Sequence, residues 1–530
     1  MKMKSTVTPQ QVFNHVAKPD IQRSTFDRSH GYKTTLDAGQ LIPIFLDEAL
    51  PGDTFNISTA LFGRLSTPLK PIMDNIYLDV HYFSVPMRLV WDNWQKFNGE
   101  QDNPGDSTNF VIPTITSTAV TGYTEQSLFD YMGLPTKIAG MEHSALFLRA
   151  YNLIWNTWYR DENLQDSVDV ETDNGPDLPS QYTILPRGKR KDYFTSALPF
   201  AQKGTAVSIP IGSSAPVVST YANPLMVHGN APVGSGGTSL GNLQATANPD
   251  IRTSLNPGAL VNIQFGATTG LETDLSSATA ATINQLREAF QVQRMYEKDA
   301  RGGTRYTELI RAHFGVISPD ARLQRPEYLG GTTVNVNINP ISQTAPTTGG
   351  STPQGNLAAM GTVSHSGNSF VKSFTEHEIV IGLVSVRADL NYQTGLNRMW
   401  SRSTRFDFYW PSLSHLGEQA ILNKEIYTQG IAADEDVFGY QERYAEYRYK
   451  PSQVTGLFRS NATASLDIWH LSQEFSALPS LNAAFIVENP PIDRVIAVPS
   501  EPQFILDCYF NFKAARPMPT YATPGLIDHF

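Results

Sequence analysis

The chain of 530 residues has one cysteine, Cys508. An internal disulfide needs two thiols and a cysteine-built zinc cluster needs at least as many, so both are excluded. A lone thiol also suits assembly in a reducing compartment. Long apolar runs are missing too. The longest lies near Ile379-Val-Ile-Gly-Leu-Val-Ser-Val386, far short of the ~20 residues that a membrane-crossing helix needs, so no membrane insertion is expected. The opening Met-Lys-Met-Lys has the charge of a signal-peptide start, but residues 5–35 supply no apolar core behind it. Positive charge is in deficit: 40 Lys and Arg stand against 50 Asp and Glu, a net −10. That balance excludes a protein that coats nucleic acid over its whole surface, though not one with a local basic face.

Catalytic patterns are scarce. The eleven histidines show no H-E-x-x-H or H-x-H spacing, so no catalytic zinc site is expected. Gly237-Thr-Ser-Leu-Gly241 matches the G-x-S-x-G nucleophile elbow. An elbow holds its serine on a strained turn between a strand and a helix, and the flanks here, Gly-Ser-Gly and Asn-Leu-Gln-Ala-Thr, promise neither. Acidic residues crowd Asp161, Glu162, Asp166, Asp169, Glu171, Asp173 and Asp177. Asp169-Val-Glu-Thr-Asp173 has alternate calcium-loop spacing but lacks the placed glycine and the distant bidentate glutamate, so a solvated acidic loop is the expectation. No catalytic residue, cofactor or metal site is assigned, and no enzyme is expected.

What the chain does have is 35 Pro, 38 Gly and 11% aromatic residues, a mix that suits a large, loop-rich β-protein. Asn75–Val85 alternates, with Ile76, Leu78, Val80 and Tyr82 on one face. His377–Tyr392 reads as a nearly continuous apolar strand. Gln503–Lys513 alternates throughout: Phe504, Leu506, Cys508, Phe510 and Phe512 face one way, which predicts a core strand, and Pro517 and Pro519 follow it. A helix is expected over 144–159, with Leu146, Leu153, Ile154 and Trp158 on one face and Arg149 at its margin. Ile283–Phe314 reads as two helices broken at Gly302-Gly303, the second capped by Thr304 and burying Tyr306, Leu309, Ile310, His313 and Phe314. There is no strand–helix–strand alternation, which favours an antiparallel sandwich over a doubly wound sheet.

Between these elements, Gly204–Thr282 carries only four charged side chains, Asp250, Arg252, Glu272 and Asp274, in a chain where 17% are charged. It is filled with Gly, Ser, Thr, Ala, Asn and Pro. A long polar insertion in a dense scaffold is expected to be displayed for recognition. Residues 1–33 read as an extended N-terminal arm. The densest basic cluster is Arg187, Lys189, Arg190 and Lys191, followed by Tyr193 and Phe194. Clustered cations contact phosphates and aromatic rings stack on bases, so these four are the candidate DNA-binding residues; the competing reading is a basic turn that pairs with the acidic loop upstream.

Several blocks resemble one family: Leu61-Phe-Gly-Arg-Leu-Ser-Thr-Pro-Leu-Lys-Pro-Ile-Met-Asp-Asn75, Phe83-Ser-Val-Pro-Met-Arg-Leu-Val-Trp-Asp-Asn-Trp-Gln-Lys-Phe97, Arg187–Ser196, Ala300–Gly315, Arg322–Gly331 and Arg516–Gly525. Together, in order along nearly the whole chain, they are similar to the major capsid proteins of the Microviridae, gokushovirus branch. The resemblance implies a mainly β fold, an eight-stranded antiparallel jelly roll of viral capsid type with long loop and helical insertions. It implies one capsid domain with a discontinuous core (about 34–203 and 283–530) and 204–282 as an exterior protrusion, grouped at three-fold axes and facing the host. It also implies partners: the chain itself, as pentamers and a shell of on the order of 60 copies; a circular single-stranded DNA genome; a small basic internal DNA-binding protein; an internal scaffolding protein; a minor DNA pilot protein; and a host surface receptor. The chain would reside in the virion after assembly in the host bacterial cytoplasm. A rival of another class is an extracellular all-β carbohydrate-binding protein or glycosidase. It lacks support from a signal peptide or a paired-carboxylate site.

Overall fold

The computed structural model describes residues 22–204, 283–317, 324–345 and 354–521, with short strands inside 217–273. Ten strands carry the scaffold: β1 (Ser24–Asp27), β2 (His30–Leu36), β3 (Ile42–Ala49), β4 (Thr54–Leu65), β5 (Ile76–Pro86), β6 (Glu327–Asn335), β7 (Asn337–Ser342), β8 (Leu357–Ser373), β9 (Glu378–Ala388) and β10 (Phe504–Arg516). They form two antiparallel sheets. In the first, β10 lies between β4 on one side and β1 and β2 on the other, and β4 continues to β8 and β7. The second runs β6-β5-β9-β3.

The two sheets share one core. Phe55, Ile57 and Leu61 of β4 and Phe504, Leu506, Cys508, Phe510 and Phe512 of β10 pack with Leu78, Val80 and Tyr82 of β5 and Val380, Val384 and Val386 of β9. The Phe45 ring of β3 sits edge-on to Phe510, with centroids 5.2 Å apart. Tyr82 and Thr59 join the two sheets by a 2.5 Å hydrogen bond between their hydroxyls. Gly382 interrupts the apolar run of β9 for a steric reason: a Cβ there would lie 2.8 Å from the Tyr82 ring and 2.9 Å from the Phe45 Cβ.

The strand expected at 503–513 is present as β10, with alternate residues buried and exposed. It is a core strand, and it ends at Arg516, one residue before Pro517 cuts off the ladder. Strands β5 and β9 depart from simple alternation because both faces of their sheet are covered. Phe83, Val85, Ile379, Ile381 and Leu383 pack against a second cluster that includes Trp91, Ile115 and helix α1 (Leu146–Ile154). Every residue of β9 is buried in consequence.

Helix α1 corrects one expectation. Arg149 is not at the margin; it is fully buried. Its guanidinium donates to Asp177 from Nε at 2.8 Å and from Nη2 at 2.5 Å, and its Nη1 donates to the Val90 carbonyl at 3.0 Å. The acidic loop therefore is not simply solvated. Asp177 neutralises a core arginine, Asp161 pairs with Lys191, and Glu162 pairs with Arg305. Among the described residues, no group of three or more His, Cys, Asp or Glu is arranged to hold a metal ion.

Contacts divide the chain into two compact units, residues 1–201 with 302–530, and residues 202–301. The second takes in most of helix α2 (Ile283–Gly302) as well as short strands of the polar segment. Among these, Ser239–Ala245 pairs with Met226–Gly229 and with Ile251–Thr253, and Val217–Ser219 pairs with Leu271–Thr273. Gly237 and Thr238 of the G-x-S-x-G match lie outside the described residues, and Ser239 begins a strand where an elbow requires a helix. Helix α3 (Tyr306–Phe314) follows Gly303, but its N-cap is Arg305, not Thr304, and Tyr306 and Phe314 are exposed rather than buried. Of the expected arm, residues 24–27 and 30–33 belong to β1 and β2; residues 1–21 lie outside the described residues.

Candidate nucleic-acid interface

The four candidate cations occupy one short segment, yet its backbone sends them to different surroundings. The Arg187 amide donates to the Gly39 carbonyl and its own carbonyl accepts from the Glu488 amide. The segment is thereby stitched between two distant parts of the chain, with a further bridge from Gly188 to Val487. Fixed in this way, Arg187 points inward. Its guanidinium pairs with the buried Asp79 of β5 and donates to the Ser385 hydroxyl at 2.6 Å. Arg387 of β9 reaches the same carboxylate from Nε at 2.8 Å and stacks over the Tyr77 ring. Burial alone would raise the Asp79 carboxyl. Arg187, Arg387 and a hydrogen bond from Thr333 outweigh burial and hold it below the ordinary carboxylate range.

Lys189 is also buried. Its ammonium lies 4.5 Å over the Phe485 ring and donates to the Gln473 side-chain oxygen at 3.0 Å. Desolvation pushes it down to about 8, with Glu488 and Asp192 opposing only part of that shift. Arg190 and Lys191 are different: each side chain is 57% exposed. Arg190 sits 3.8 Å from Asp389, and Lys191 pairs with Asp161 of the acidic loop. The sequence-level alternatives thus divide by residue. Two cations serve internal pairing, and two reach the surface while touching carboxylates.

The structure adds residues to this surface that the sequence reading passed over. Arg190 and Lys191 line a cleft of about 330 Å³ together with Tyr193, Tyr392, Tyr449 and Lys450. Tyr193 and Tyr449 have ring centroids 6.2 Å apart. The signal was present in Arg443-Tyr-Ala-Glu-Tyr-Arg-Tyr-Lys450, where cations and rings interleave. Chemically, the cleft offers ammonium and guanidinium groups for a phosphate and tyrosine faces for a base. Tyr193 is committed inward by its 3.0 Å hydrogen bond to Glu425. Tyr392 is likewise held, by a 3.1 Å hydrogen bond to Asp192 and by stacking on Phe475, which leaves the exposed Tyr449 as the stacking surface.

Comparison with known proteins gives one consistent result. The family described as Capsid protein (F protein) matches residues 14–526. The capsid protein VP1 of Bdellovibrio phage phiMH2K is 49% identical, over 98% of this chain and 98% of its own length. Capsid protein VP1 of Chlamydia phage 1 is 46% identical over 97% of each chain, and that of Spiroplasma virus 4 is 36% identical over 96% of each.

Proposed function

Because this chain belongs to the capsid protein (F protein) family, as a major capsid protein of Microviridae type, we propose that its scaffold is the eight-stranded jelly roll of a small icosahedral shell. The protein is a structural component of the virion, not an enzyme, and it assembles into the shell that encloses the viral genome. The finer reading rests on one observation, the strand order. Taken without β1 and β7, the sheets run β2-β10-β4-β8 and β3-β9-β5-β6. Consecutive strands β2 to β5 alternate between the two sheets, β5 and β6 are neighbours in the second sheet, and β6, β8, β9 and β10 alternate again. That alternation across a shared core is the pattern of a double Greek key.

On this reading, on the order of 60 copies surround a circular single-stranded DNA. About −10 per copy gives the shell roughly −600 before the genome is counted, so small cations or a basic internal protein must neutralise the phosphates. A scaffolding protein and a DNA pilot protein are further expected partners, and assembly takes place in the host cytoplasm. The unit 202–301 contains the polar insertion and suits an exterior protrusion, grouped around three-fold axes for attachment to a host receptor. Its separate compactness supports that role.

Electron microscopy of the chain expressed in bacteria tests the shell reading. Closed particles of uniform diameter are expected; dispersed monomers would overturn the shell reading for this chain alone. For the genome contact, Arg190 and Lys191 carry the proposal, with Arg187 and Lys189 supporting the segment from inside. Replacing Arg190 and Lys191 by glutamine should weaken single-stranded DNA binding and reduce its salt slope by up to about 2. An unchanged slope would leave Arg190 and Lys191 as surface partners of Asp389 and Asp161 alone.

A further inference from the structure

Residues 398–412 and 443–448 build a surface that a lone subunit leaves bare. Trp400 is 73% exposed, Phe406 61%, Phe408 52%, Tyr409 51%, Tyr447 49% and Trp410 39%. Contacts through Arg402, Arg405, Arg443 and Tyr444 tie five of them together, and Trp400 stands two residues before Arg402 in the chain. Tyr409 and Tyr447 have ring centroids 6.2 Å apart, and the Tyr409 amide donates to the Tyr447 hydroxyl at 3.4 Å. Arg402 lies over both Phe408 and Tyr447, at 5.5 and 4.3 Å, while Arg405 lies 4.6 Å over Trp410. Arg443 donates to the Phe406 carbonyl at 2.8 Å.

At about 200 Å² per ring, the five linked aromatic residues present roughly 500 Å² and Trp400 adds roughly 150 Å². A soluble monomer's largest apolar patch is on the order of 300–600 Å². One partner in a standard protein interface contributes ~800 Å². Exposed Met399 and Pro411 extend the patch at its edges. Trp, Tyr, Phe, Met and Arg are also the residues enriched in protein interfaces.

We propose that this patch is the surface by which one copy of the chain seats against a neighbouring copy, an inference that rests on the shell reading above. A nucleic-acid strand fits it less well. Five arginines, Arg398, Arg402, Arg405, Arg443 and Arg448, stand with four carboxylates: Asp407, Glu446 at 3.5 Å from Arg402, Glu425 at 2.9 Å from Arg398, and Glu442, which pairs with Arg448. Hydrogen bonds from Ser403 and Thr404 hold Asp407 in its charged form. A net charge near +1 gives little purchase on phosphates. Methionine and proline at the edges bury well against protein but offer no ring face for a base.

Two experiments test this. Ser412, exposed beside Trp410 and Pro411, is changed to cysteine and labelled with a maleimide benzophenone. The native Cys508 is buried, with its thiol pushed up to about 12 by desolvation, so it does not compete. Illumination of particles containing Ser412→Cys should yield a product of two-chain mass. A product linked to nucleic acid, or one of single-chain mass with an internal cross-link, overturns the proposal. In the second experiment, Trp400→Glu/Phe406→Glu should keep the thermal midpoint of the unassembled subunit and raise the concentration needed for shells at least tenfold. Shells from the double variant at the parental concentration overturn the proposal and leave the shell reading intact. Absence of shells from the unaltered chain removes both.

Discussion

Replacing Phe510 by alanine tests the fold at its centre. The ring has no exposed surface, and it touches His30 and Phe45 at centroid distances of 5.3 and 5.2 Å. Burying a phenylalanine contributes ~2 kcal/mol through transfer from water. Losing the ring also leaves a void, and a hole of about 80–100 Å³ that cannot close adds ~2 kcal/mol. Collapse is restricted because Phe510 is paired with Thr59 on one side and His30 on the other. The two contributions together put the cost near 4 kcal/mol. Tyr509, next in the strand, points outward at 53% exposure, so Tyr509→Ala should cost under about 1 kcal/mol. Urea titration of unassembled protein, followed by tryptophan fluorescence, compares the pair alongside soluble yield. A Phe510→Ala midpoint equal to that of Tyr509→Ala would refute the assignment of β10 to the shared core.

Three further outcomes are expected. Arg149→Met leaves Asp177 charged and buried, which should cost about 3–5 kcal/mol, while Arg149→Met/Asp177→Leu should regain much of that loss; equal urea midpoints for the single and double variants would contradict the pairing argument. Lys189 titrates near 8 when folded and at 10.5 when unfolded, so the unfolded chain holds more protons across that window. The burial penalty is full below pH 8 and is relieved as pH rises, and the parent should gain stability on Lys189→Met between pH 8 and 10; a constant gap between their urea midpoints would show that the lysine is not desolvated. Deleting residues 215–275 should leave a protease-resistant core, because unit 202–301 is compact by itself; complete digestion under conditions that spare the parent would show that the insertion is part of the folding core.

Legibility in the sequence followed how evenly each element is covered. Strand β10 has one buried face and one open face, so its alternation could be read residue by residue. Strands β5 and β9 are covered on both sides, and continuous apolarity gives a strand without telling which neighbour lies on which face. Helical spacing identified α3, but spacing does not say whether another element covers the apolar side, and Tyr306 and Phe314 are open at 72% and 78%. Arg149 was misread because its partner, Asp177, lies 28 residues away in an irregular loop. The basic cluster was visible as charge but not as orientation. Asp79 and Gln473, which draw Arg187 and Lys189 inward, lie 108 and 284 residues from them in sequence.

The place of β10 has a consequence for synthesis. β10, an interior strand of the first sheet, is the last of the ten scaffold strands to be translated, and its ladder partners, β2 and β4, are among the first. At about 5–20 residues per second, translation from β4 to β10 takes roughly 20–90 seconds. Throughout that interval the edge of β4 that β10 will pair has no ladder partner. The first sheet therefore cannot be completed until β10 has been made, and a message cut short anywhere before codon 504 yields a polypeptide without that interior strand. Such a fragment lacks Phe504, Leu506, Phe510 and Phe512 of the shared core and leaves the facing edges of β2 and β4 without their ladder partner.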